Sequence, residues 1–141
     1  MVGVNILLVD NSKIFIENAV NAFSQIGIQS TLCFAESETE AWSMLQGDTK
    51  VLPLPKIMLI DINAEGINGI DLINKIRDNY KLKSILIFVI SDVDNNENKR
   101  AALNLNIAAY MSKPFEKGEI ISFFSILNDY WNSIEFASEN T

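Results

Sequence analysis

The feature that most constrains this chain is Lys56-Ile57-Met58-Leu59-Ile60-Asp61-Ile62-Asn63, an unbroken apolar run that ends in a carboxylate. Pro53 and Pro55 precede it, and Gly66 and Gly69 follow. A run of this length between chain breakers reads as a strand buried on both faces, and such strands lie at the centre of parallel sheets. Open α/β sheets bind ligands beyond the carboxyl ends of their strands. Asp61 is thus either held at a site, or is a turn residue or the cap of the next helix.

The rest of the chain repeats this arrangement. Asn5-Ile6-Leu7-Leu8-Val9-Asp10 is a first buried strand that also ends in an acid, with Asn11 or Ser12 to cap a helix and Gly27 to end it. Ser30–Ala35 is a second strand, and Ser37-Glu38-Thr39-Glu40 is a capping box opening a helix that stops at Gly47. The proline-bearing segment Gly47–Lys56 reads as a loop. After Asp61 a helix is expected from about Ile70 to Asn79, then a buried strand Ser84–Ile90 with Ser91 and Asp92 at its end. A polar loop, Asp94–Asn98, leads to a helix from about Glu97 to Leu105. Ala108–Met111 is a short fifth strand, Ser112-Lys113-Pro114 a turn, and a long last helix starts near Glu116. Strands that alternate with helices form a parallel sheet with helices on both faces and right-handed crossovers. The expected fold is α/β, a flavodoxin-like doubly wound five-stranded sheet in the order 2-1-3-4-5 with five helices, the last one extended.

Composition removes several function classes. No histidine is present, so Ser-His-Asp and Cys-His catalysis and a His-ligated zinc site are excluded within the chain. Cys33 is the single cysteine and reads as a small buried hydrophobe. Net charge is −7, and eleven Lys and Arg are thinly spread, which argues against nucleic-acid binding. No apolar stretch approaches the ~20 residues of a membrane span, and no secretory signal opens the chain. Cytoplasmic location without membrane association is the expectation.

In the expected strand order, Asp10, Asn11, Asp61, Asn63, Ser91, Asp92 and Lys113 arrive at one rim. This oxygen-rich set suits a hard cation such as Mg²⁺, which keeps several waters. A carboxylate there can attack phosphorus and form an aspartyl phosphate while a metal neutralises phosphate oxygens. Lys113 can pair with the phosphoryl group as a point charge, and Ser91 can donate a hydrogen bond to it. Individually, Asp10 also reads as a helix cap, Ser91 as a turn residue and Lys113 as a surface lysine.

The motifs Leu8-Val9-Asp10-Asn11-Ser12, Met58-Leu59-Ile60-Asp61-Ile62-Asn63 with Asn68-Gly69, Val89-Ile90-Ser91 and Tyr110-Met111-Ser112-Lys113-Pro114-Phe115 resemble the receiver domains of two-component response regulators. The likeness covers nearly the whole chain, with residues 1–136 as the receiver and 137–141 as a disordered tail. It implies a non-enzymatic phospho-switch in which a histidine kinase or phosphotransfer protein donates phosphate to Asp61. It implies Mg²⁺ bound through Asp10, Asn11, Asp61 and the main-chain carbonyl of Asn63. It also implies that Ser91 moves toward the phosphate, that Tyr110 swings inward, and that Lys113-Pro114 is a cis-proline turn.

Three residues depart from the family pattern. Asn11 stands where an acid usually ligates the metal. A unit charge at ~4 Å is worth roughly 4 kcal/mol at an effective dielectric of 20, less after solvent screening, so weakened metal binding and slower transfer are expected. Asp92 places an acid where a small residue usually follows the Ser, either repelling a phosphodonor, replacing lost negative charge, or simply facing outward. Glu65 falls where a proline often stands.

The last helix is expected to run to about Phe136. Ile120, Phe124, Leu127, Trp131 and Ile134 alternate spacings of four and three, a heptad seam broadened by Phe123, Ile126 and Tyr130. Phe123, Leu127, Tyr130, Trp131 and Ile134 are the expected contacts for a homodimer or partner protein, the other reading being a helix folded over its own core. The ending Asp129-Tyr130-Trp131 and the loop Gly47–Lys56 resemble the stand-alone receivers associated with bacterial phytochromes. The expected function is a single-domain response regulator acting on a downstream protein target. The alternative is a receiver-like interaction module that is little or not phosphorylated. A haloacid-dehalogenase-type phosphatase would need an acid where Asn63 stands, and a flavodoxin would need a hydroxyl-rich phosphate loop in place of Asn11-Ser12-Lys13-Ile14.

Overall fold

Strands and helices alternate strictly along the chain. A computed structural model describes residues 3–92 and 95–136. The strands are β1 (Asn5–Val9), β2 (Thr31–Ala35), β3 (Ile57–Asp61), β4 (Leu86–Ser91) and β5 (Ala109–Ser112). The helices between and after them are α1 (Lys13–Ile26), α2 (Glu38–Gln46), α3 (Gly69–Arg77), α4 (Asn96–Leu103) and α5 (Lys117–Trp131). All strand pairs are parallel, in the order β2-β1-β3-β4-β5. This is the doubly wound arrangement that the alternation predicts. The expected tail, 137–141, and Asp94 of the expected polar loop lie outside the described residues.

Local chemistry sets the helix boundaries. Ser12 Oγ accepts from Phe15 N at 3.1 Å, so Ser12 rather than Asn11 caps α1. Gly27 closes that helix in the left-handed region, φ 79°. Ser37 Oγ accepts from Glu40 N at 3.1 Å to start α2. Gly69 opens α3 where a Cβ would lie 2.7 Å from Ile62 Cα, so only glycine lets α3 begin so close to the end of β3.

Alternation along the strands divides the core between the two faces of the sheet. One face carries Leu7, Val9, Met58, Ile60, Ile87 and Val89 and is covered by α2, α3 and α4. The other carries Ile6, Leu8, Ile57, Leu59, Phe88 and Ile90 and is covered by α1 and α5. The second face is aromatic: Phe23 meets Phe124 at 5.3 Å and Phe88 meets Trp131 at 6.0 Å, both edge-on. The two tryptophans therefore lie on opposite faces. Trp131 is fully buried, whereas Trp42 on α2 is half-buried with the Lys75 ammonium 5.6 Å from its ring.

The last helix does not project. It ends at Trp131, and turn bonds from Ser133 N to Tyr130 O and from Ile134 N to Trp131 O reverse the chain, so Ile134 and Phe136 pack back on the aromatic core. The seam Ile120, Phe124, Leu127 and Trp131 is buried by this chain's own Phe15, Phe23 and Phe88. Leu127 and Trp131 are therefore not available as dimer contacts. Phe123 and Ile134 are half-buried, and Tyr130 and Ile126 are exposed at 47% and 70%.

Candidate functional site

Register brings the two acids side by side. Val9 of β1 pairs with Ile60 of β3, so Asp10 and Asp61, each one residue further on, emerge together at the carboxyl edge. Ser91 pairs with Ser112, and Lys113 follows at the same edge. A cleft of ≈ 240 Å³ opens there, lined among others by Asn11, Asp61, Asn63, Asp92, Lys113 and Phe115.

Lys113 organises the floor of this cleft. Its Nζ lies 2.7 Å from Asp10 Oδ2 and 2.9 Å from Asp61 Oδ2, and 4.6 Å from the centre of the Phe15 ring. The other carboxylate oxygens accept backbone amides: Ser12 N donates to Asp10 Oδ1 at 2.8 Å and Asn63 N to Asp61 Oδ1 at 3.0 Å. Burial pushes the Asp10 carboxyl above its ordinary value, against the pull of Lys113 and the Ser12 amide. Burial would also lower Lys113, but its hydrogen bonds to Asp10 and Asp61 outweigh that and hold it above its ordinary value. A lysine gripped by two buried acids stays charged, and one ammonium faces two carboxyl groups.

Asn11 lines the mouth of the cleft. It is exposed, and its Nδ2 donates to the Glu65 carbonyl at 2.7 Å, tying the loop after β1 to the loop after β3. A carboxylate at this position could not donate that bond. Asn63 uses both ends of its side chain. Its Nδ2 donates to Ser91 Oγ, and its Oδ1 accepts from Asn98 Nδ2 at 3.0 Å. Asn98 in turn belongs to the first turn of α4, where its N–H donates to the Asn95 cap. Asp92 is exposed at the cleft's lip.

Tyr110 is half-buried, its hydroxyl already inside without a hydrogen-bond partner among the described residues, and Lys99 sits 5.4 Å from its ring. The Lys113–Pro114 peptide is trans, contrary to the cis turn expected from the resemblance, and the cis bond among the described residues is Leu52–Pro53. Trans is the lower state of an X–Pro bond by ~0.5–1 kcal/mol. From it Lys113 N donates to Ser91 O at 2.9 Å while Nζ reaches both acids.

The rim therefore gathers Asp10, Asp61, Asn63, Ser91 and Lys113, with Asn11 turned to Glu65 and Tyr110 further along β5. Asn98 and Phe15 were not singled out in the sequence, because a lone amide in an Asn-rich turn and a core aromatic carry no local signal. Among the described residues no three acidic, Cys or His side chains group as metal ligands. Two buried carboxylates with amide oxygens nearby still match a cation that binds through one or two acids and keeps its waters.

A family model described as the response regulator receiver domain matches residues 6–125. The chain is similar to the chemotaxis protein CheY1 of Helicobacter pylori, 30% identical over 78% of this chain and 85% of that one. Among solved structures it is similar to the phosphorylated cyanobacterial phytochrome response regulator RcpA, with a TM-score of 0.85 and 20% identity over 95% and 97% of the two chains. It is also similar to the Mn(2+)-bound form of response regulator Rcp1, with a TM-score of 0.84 and 21% identity over 96% and 99%.

Proposed function

The chain belongs to the response regulator receiver family, and from that premise we propose that it is a single-domain response regulator whose Asp61 accepts a phosphoryl group from a histidine kinase or phosphotransfer protein. The observation that carries this reading is the Lys113 ammonium bridging Asp10 and Asp61 at the carboxyl edge. An Asp61 oxygen attacks phosphorus, and the bond from phosphorus to the donor nitrogen breaks with its electron pair returning to the imidazole. Lys113 then has a phosphoryl oxygen to pair with, and Ser91 can donate to another. Asp10, Asp61 and the Asn63 carbonyl would hold Mg²⁺, whose contribution when bound is to neutralise phosphoryl oxygens. Rcp1 has been solved with Mn²⁺. Asn11 offers an uncharged amide oxygen where the family pattern has an acid, so metal affinity is weakened.

No helix among the described residues is long and apolar enough to cross a membrane, and the reading places the protein in the cytoplasm. It signals through protein contacts. Phe123, Tyr130 and Ile134, with the exposed Ile126, are the part of the α5 side that remains for a target or a second copy.

A second reading, an interaction module with little phosphorylation, is favoured by the uncharged Asn11 and by the exposed acid Asp92 at the cleft's lip. Intact mass after incubation with a small phosphodonor and Mg²⁺ separates the two. The proposal expects one phosphoryl adduct on the wild type and none on Asp61→Asn. A wild type without an adduct under any metal condition sinks it.

A further inference from the structure

Asn63 joins three elements, one through its backbone and two through its side chain. Its backbone N–H holds Asp61 Oδ1, its Nδ2 holds Ser91 Oγ on β4, and its Oδ1 holds Asn98 in the first turn of α4. With Asn98 donating, Asn63 presents its oxygen to α4 and its NH₂ to Ser91. In this arrangement each end of the Asn63 amide has one partner, Ser91 at the nitrogen and Asn98 at the oxygen.

α4 needs such a tie. Ala102 is its single buried residue, so little apolar surface fastens it to the sheet. Its start is held by the Asn95 cap, which accepts from Asn98 N at 3.0 Å, and by the bond from Asn98 to Asn63.

We propose that Asn63 is a positioning residue that latches the first turn of α4 to Ser91, and that the latch opens when Ser91 turns to an acyl phosphate on Asp61. The inference rests on the phosphoacceptor reading and deepens it by naming how the site is read out. Ser91 Oγ accepts from Asn63 in the resting chain. Turning that oxygen toward a phosphoryl group removes the acceptor that fixes the Asn63 amide. The amide then loses its set orientation, Asn98 loses its partner, and the first turn of α4 is left with its Asn95 cap. The route from chemistry to helix is two hydrogen bonds long.

Hydrogen exchange on the full chain tests this, read at the backbone amides of Asn98 and Lys99, both hydrogen-bonded to Asn95. The probe is beryllofluoride with Mg²⁺, a stable acyl-phosphate mimic. In the wild type the mimic is expected to speed exchange at these amides about three- to tenfold, the worth of one ordinary hydrogen bond. Asn63→Ala and Asn98→Ala are expected to show that faster exchange without the mimic and to gain no more with it. The double variant should match either single, since both remove the same tie. Amides within α5 keep wild-type protection throughout, which separates unlatching from general loss of structure.

Wild-type protection at Asn98 and Lys99 in the Asn63→Ala chain without mimic overturns the latch. Additive effects in the double variant overturn it equally. A phosphoryl adduct on a chain whose variants behave this way leaves the acceptor reading standing alone. A wild type that takes neither adduct nor mimic overturns the acceptor reading and the proposed opening with it, even where the variants unlatch α4.

Discussion

Helices α4 and α5 come before and after β5 and lie on opposite faces of the sheet, yet they are fastened by different forces. α5 buries Ile120, Phe124, Leu127 and Trp131 among the rings of Phe15, Phe23 and Phe88. α4 buries only Ala102, sets Lys99 over the Tyr110 ring, and is tied at both ends. Asn63 ties its start, and beyond its end Arg77 donates to the carbonyls of Leu105 and Asn106 at 2.8 and 3.0 Å. Hydrogen bonds exchange partners at a net cost of ~0.5–1.5 kcal/mol, whereas pulling a large aromatic from a core costs ~3–5 kcal/mol. A change at Asp61 of modest free energy can therefore move α4 and leave α5 in place. The difference shows where a switch can reside in a fold whose central strands are buried.

The strongest way to break this comparison is Trp131→Ala. It is expected to cost ~3–5 kcal/mol in urea unfolding, and a loss under ~1 kcal/mol would mean that α5 is not the anchored helix.

Next comes Lys113→Met, in the turn between β5 and α5. It leaves Asp10 and Asp61 buried without their cation, expected to cost roughly 3 kcal/mol in chelator and less with Mg²⁺. The pH dependence follows from the same contact. Because Lys113 is raised in the folded chain, its stabilisation is complete below its ordinary value of 10.5 and is lost as pH climbs through the folded value. Asp10 is also raised, so its neutral form favours the fold and acidification toward pH 4 does not remove its contribution. Unfolding curves for wild type and Lys113→Met are expected to differ by a constant amount below the ordinary lysine value and to draw closer as pH climbs past it.

Asn11→Asp comes third. It replaces the tie to Glu65 with a charge, and Mg²⁺ is expected to bind about tenfold more tightly in a titration, the full Coulomb gain being cut by exposure. Unchanged affinity would show that Asn11 is no metal position. The smallest effect is on the α4 side. Leu103→Ala, at a residue 52% exposed, is expected to change stability by under ~0.5 kcal/mol. A loss comparable with that of Trp131→Ala would erase the contrast between the helices.

The sheet order and the rim were legible in the sequence because both depend on short-range patterns. Apolar runs ending in Asp10, Asp61 and Ser91 mark central strands, and parallel strands deliver their ends to one edge. The direction of the α5 seam was not legible. Ile120, Phe124, Leu127 and Trp131 present the same stripe to a second copy as to their own sheet, and what decides is Phe23 and Phe88, far away in the chain. The roles of Asn63 and Asn98 were hidden for a related reason. An amide's partners depend on how two loops meet, and no periodicity records that. Arg77 is the same case, its four donated bonds going to carbonyls in two separate connections.

The placement of the two tryptophans gives the chain built-in optical reporters. Trp131 sits within a buried cluster of rings, and Trp42 sits beside an ammonium at the edge of solvent. Their emission is expected to separate by wavelength, with quenchers in solution reaching Trp42 first. Trp42→Phe leaves a chain whose emission follows the α1–α5 face alone. The unchanged chain follows both, so events on either face can be timed in unlabelled protein.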